Sequence, residues 1–104
     1  MNTTLLPWPF DQAPNVVAVT STHITKQGLP ILLVTHYKDD ESWGFQSGFP
    51  VSIADAQLVA MKTIVGIDPS VAEVADMLPG HSAERMFVGG EWKITKDAWA
   101  GDEQ

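Results

Sequence analysis

The chain has 104 residues, 44% hydrophobic and 18% charged, a composition that suits one folded domain with its own core. Thirteen acids against six bases leave a net charge of −7, and Lys26, Lys38, Lys62, Arg85, Lys93 and Lys96 never cluster. Phosphate backbones and anionic membrane surfaces repel such a surface, so neither nucleic acid nor membrane is an expected partner.

The elements follow in chain order. Residues 1–15 read as an extended N-terminal arm: Pro7, Pro9 and Pro14 forbid a helix, while Trp8 and Phe10 offer anchors to the body. "NVVAVTS" is β-branched and predicts a strand at Val16–Thr20. "STHITKQG" predicts a two-turn helix with Ser21 or Thr22 as its cap and Gly28 as its stop. "PILLVTHY" (30–37) is the clearest strand, and "WGFQSG" (43–48) alternates, with Trp43 and Phe45 on one face. Between them Lys38, Asp39, Asp40, Glu41 and Ser42 make a polar hairpin loop.

"FPVSIADA" (49–56) is a loop, "QLVAM" (57–61) reads as a buried strand, and "KTIVGI" (62–67) as a short helix or turn. In "DPSVAEVADML" Asp68 caps, Pro69 takes the first helical position, and Val71, Val74, Ala75 and Leu78 form an α-helical stripe. "ERMFVGGEWKIT" predicts a second hairpin turning at Gly89-Gly90. It pairs 85–88 with 91–94 and leaves Met86, Val88, Trp92 and Ile94 for burial. Residues 16–95 thus form a single α+β domain, an antiparallel or mixed sheet of hairpins with two or three short helices. Residues 96–104 are an acidic C-terminal tail, expected to fray.

The patterned stretch "HYKDDESWGFQSG" (36–48) is the first place to look for chemistry. Aligned as a calcium loop from Asp39, it puts Trp43 at position 5 and Pro50 at position 12, where oxygen ligands are needed. The acids are better explained as a solvated hairpin tip that also blunts strand-to-strand aggregation. His23, His36 and His81 show no helical metal spacing, and His36 is expected at the surface beside Asp39 and Asp40. Ser47, in "FQSGF", lacks the glycine-flanked elbow of an activated serine, and "VGGEW" lacks the features of a phosphate cradle. No catalytic, metal-binding or cofactor-binding residue is assigned, and no cofactor is expected. Of four tryptophans, Trp43 and Trp92 are expected in the core, whereas Trp8 and Trp99, in the arms, are candidates for partner contact.

Taken together, "VTS" (19–21), "GLPILLV" (28–34), "DDESWGFQSG" (39–48), "TIVGIDPSV" (63–71) and "LPGHSAER" (78–85) resemble a family of small bacterial domains of unknown function. Some members of that family are described as immunity proteins of polymorphic toxin systems. The resemblance covers about residues 15–93 and brings no catalytic residues with it. It implies a non-enzymatic protein-binding module of immunity type. The acidic loop would then face a basic protein partner such as a toxin, through Asp39, Asp40 and Glu41 with Trp8 and Trp99. The alternative is a small-ligand-binding or enzymatic domain with a cleft near His36 and Asp39–Glu41. The chain has no cysteine and no apolar run of the roughly 18 residues a membrane span needs. Its start does not read as a signal peptide, so a cytoplasmic location is expected.

Overall fold

A computed structural model describes residues 8–97, so Trp99 and nearly all of the expected tail lie outside the described residues. Six strands form one mixed sheet: β1 (Val17–Ser21), β2 (Leu33–His36), β3 (Trp43–Gln46), β4 (Ala56–Ala60), β5 (His81–Glu84) and β6 (Lys93–Lys96). Their order is β4-β1-β3-β2-β5-β6. The β2–β3 hairpin turns back so that β3 lies beside β1 and parallel to it, through the single pair Val19–Gly44; every other pairing is antiparallel. So short a parallel contact gains a side-chain bond: buried Thr20 donates its hydroxyl to the Phe45 carbonyl at 2.7 Å.

Helix α1 (Thr22–Thr25) follows β1 directly, with Ser21 at the cap position but no side-chain bond from it. The chain leaves that turn through Gly28, whose φ of 72° suits a residue without Cβ. Helix α2 (Met61–Ile67) follows β4. These helices, a 3₁₀ helix at Pro69–Val74 and residues 8–10 of the arm cover one face of the sheet. Ala18, Val34, Trp43, Phe45 and Ala83 point up from the strands to meet Ile24, Met61, Ile64, Val71, Val74, Met77 and Phe10. The period of two that selects Val34, Phe45 and Trp43 follows from the strand pleat. On the opposite face Tyr37 covers Gly44 at the centre, while Val17 and Leu58 near the β4 edge are open to solvent.

Three expectations are corrected by this packing. The helix after Asp68 is 3₁₀ rather than α, so the inward residues recur every third position as Val71, Val74 and, past its end, Met77. Met77 is 5% exposed and Leu78, expected inside, is 67% exposed. Strand 57–61 is not buried: β4 is an edge strand, and only Met61, already in α2, is buried.

The second hairpin exists, but its register differs from the expected one. Glu84 pairs with Lys93 and His81 with Lys96, leaving 85–92 as the loop. The turn at the glycines does form, with Gly90 N–H donating to Phe87 O. The strands stop short of it because Arg85 turns into the protein interior. Met86, Phe87, Val88 and Ile94 are exposed as a result, and Trp92 is half-buried.

Candidate functional site

The acidic loop is a shaped turn. Tyr37 N–H donates to Ser42 O at 2.8 Å and closes it, and Ser42 N–H donates to Asp40 Oδ1 at 3.0 Å. The bonds from the Ser42 side chain and then its backbone hold Asp40's carboxyl below the usual carboxylate range. Glu41 follows in the left-handed region, at φ 60°. That conformation costs a non-glycine residue energy and needs outside support. The support comes through its carbonyl oxygen, which lies 3.0 Å from Gln12 Nε2 and 3.2 Å from His36 Nε2. The side chains of Asp39, Asp40 and Glu41 all stay exposed.

Beneath the loop, His36 is not the surface histidine expected from sequence. It is 2% exposed, because it shares the inner face of β2 with Val34, two residues earlier. Its ring stacks on Trp43 with centroids 3.9 Å apart and planes at 14°. Nδ1 lies 2.7 Å from the Met77 carbonyl, so both ring nitrogens are engaged with backbone oxygens. The alternative reading places a cleft near His36 and Asp39–Glu41; the imidazole itself is not open to solvent. The alternation in "LVTH" carried the signal for burial, and the neighbouring aspartates obscured it.

The arm completes the site. Phe10 is buried edge-on against Trp43, with centroids 4.9 Å apart at 80°. Next to it Asp11 accepts from Trp43 Nε1 at 3.2 Å, and its other oxygen is 4.0 Å from His36 Nε2. Trp8 packs on Phe10 and donates from Nε1 to Gln12 O, and the Gln12 amide in turn reaches Glu41. Trp8 and the acidic 39–41 turn, far apart in sequence, are thus linked through Gln12, with Asp11 against Trp43 and His36 beneath the turn; this is the acidic end of the molecule. Sequence reasoning missed Asp11, since nothing local distinguishes it from other exposed acids. Trp99 lies outside the described residues.

A second polar cluster was also missed. Arg85 is buried, with Nη2 2.7 Å from Asp68 Oδ2. Its Nε and Nη2 donate to the Ile31 carbonyl, and Nη1 donates to Ser70 Oγ at 2.9 Å. Trp92 lies over the guanidinium at 4.2 Å and donates from Nε1 to Glu73. These partners make Arg85 a clamp between the segment leading into β2, the start of the 3₁₀ helix and the 85–92 loop, with the buried charge paired to Asp68 and hydrogen-bonded to Ile31 and Ser70. Among the described residues, no group of three His, Asp or Glu side chains is placed to hold a metal ion. Comparison with family models, curated proteins and solved structures returns no match for this chain.

Proposed function

We propose that this protein is a small non-enzymatic binding module of immunity type, whose acidic end engages a basic protein partner such as a toxin. The observation that supports the reading is the prior ordering of Asp39, Asp40 and Glu41. They project from a turn held by Ser42, Gln12 and His36, with the half-exposed Asp11 carboxylate alongside. An ordered loop loses less entropy on binding than a mobile one. Clustered carboxylates on a protruding tip also speed encounter with a basic surface. No helix among the described residues is long and apolar enough to cross a membrane. The cytoplasm is the proposed place of action, resting on the absence of cysteine. The ligand-binding or enzymatic alternative places a cleft near His36 and Asp39–Glu41, where the carboxylates are exposed and the imidazole is buried.

The test is a pull-down from the native host, followed by association kinetics of the recovered partner with wild type and the D39N/D40N/E41Q variant. The Asp40→Asn change keeps an oxygen that can accept from Ser42, so the turn should persist. We expect the triple variant to associate more slowly and to lose much of its salt dependence. An unchanged association rate at low salt would remove the loop from the interface and defeat the proposal.

A further inference from the structure

The two edges of the sheet are built differently. β6 has lysine at both ends, Lys93 and Lys96, which is a usual way for a protein to discourage another strand from pairing there. β4, with the sequence Ala-Gln-Leu-Val-Ala, carries no charge and no proline, and it pairs with β1 through five consecutive residues without a bulge. Its Leu58 is 69% exposed on the sheet face away from the core. Its cross-strand neighbour there is Val19, and Val17 of β1, also exposed, lies beside them. None of the devices that protect β6 is present on β4.

We propose that β4 is the contact surface for a second copy of this chain. The two β4 strands would pair antiparallel about a two-fold axis at Leu58 and join the two sheets into one. Charge complementarity is what selects a second copy in that orientation. Asp55 precedes the strand and Lys62 follows it, with no other charged residue between them. Antiparallel pairing at Leu58 brings the end of each strand that follows Asp55, the last residue of a 3₁₀ turn, beside the other copy's end that leads into Lys62 in the first turn of α2. Unlike charges then flank both ends of the contact, whereas parallel pairing would bring like charges together. A two-fold contact of this kind is self-complementary and closed. The carboxylates of the 38–42 loop do not oppose it, because β1 separates β4 from the hairpin that carries them. The dimer surface and the acidic end are therefore distinct, and one can be tested without the other.

Sedimentation over a concentration series, with the full chain and with L58K, reads the prediction directly. Leu58 is exposed, so L58K should keep the fold, checked by its circular dichroism. It places two ammonium groups face to face at the axis, and like charges so placed should weaken the dimer at least about tenfold. Hydrogen exchange on the wild type needs no variant: amides of β4 should gain protection as concentration rises. A chain that stays monomeric up to millimolar concentration would overturn the proposal. So would a dimer that L58K leaves unchanged, or one whose added protection falls on the apolar 86–88 loop instead of β4.

Discussion

Tyr37 and Gly44 show how one residue's chemistry is set by its neighbour across two strands. A Cβ on Gly44 would sit 2.8 Å from the phenol oxygen and 2.9 Å from Cε2, so the aromatic ring occupies the space a side chain would need. A glycine in a strand weakens it, and an aromatic laid across it restores the lost cover. The same burial raises the phenol pKa, with the Asp97 and then the Asp40 carboxylate adding to the shift. The folded chain therefore holds this proton more tightly than the unfolded one. Stability from this group is intact below pH 10.0, the ordinary value, and is lost as pH rises through the folded value. Tyr37 is the only tyrosine, so phenolate absorbance reports it alone. The native midpoint should lie above that of the denatured chain, and D97N should bring it down. A native midpoint equal to the denatured one would refute the account.

At the scale of elements, the 3₁₀ helix after Asp68 shows what the sequence made legible and what it hid. The Asp68-Pro69 start was readable, because capping and proline chemistry are local; Asp68 indeed accepts from Ser70 N–H at 3.0 Å. The period was not readable. Ser70 donates its hydroxyl to Asp68 and accepts from Arg85, fifteen residues away, and the last bonds run Ala75 to Ala72 and Met77 to Val74. The register of the second hairpin was hidden for the same reason. Its Gly-Gly turn is a local signal, but where its strands stop depends on Arg85 finding Asp68 and the Ile31 carbonyl. Met77→Ala should therefore cost about 2–5 kcal/mol, as buried methionine truncations do. Leu78→Ala should fall within about 0.5 kcal/mol of wild type, as surface changes do. Chemical denaturation of the pair decides the period: equal costs, or a reversed order, would restore the α-helical stripe.

Across the whole molecule, the arm belongs to the core and to the acidic end together. Composition predicted one domain with a proline-rich arm, and the α+β class followed from hairpins and short helices in sequence. The mutual position of arm and loop was not legible, because a few contacts between residues 8–12 and 36–43 fix it and no periodicity records them. Phe10 is the hinge of that arrangement: buried against Trp43 and Phe45, it positions Asp11 on the Trp43 indole and Gln12 on the Glu41 carbonyl. Phe10→Ala should cost about 3–5 kcal/mol, because it removes a large buried ring from a packed cluster. A second effect separates this role from simple core filling. Without the anchor, Gln12 loses its hold on Glu41, whose left-handed backbone then keeps only the His36 contact. Amide exchange at residues 39–42 should speed up under conditions where the rest of the sheet stays protected. An exposed control, Leu78→Ala, should leave those amides unchanged. If Phe10→Ala lowers stability while exchange at 39–42 keeps its wild-type rate, the arm fills the core but does not order the acidic loop.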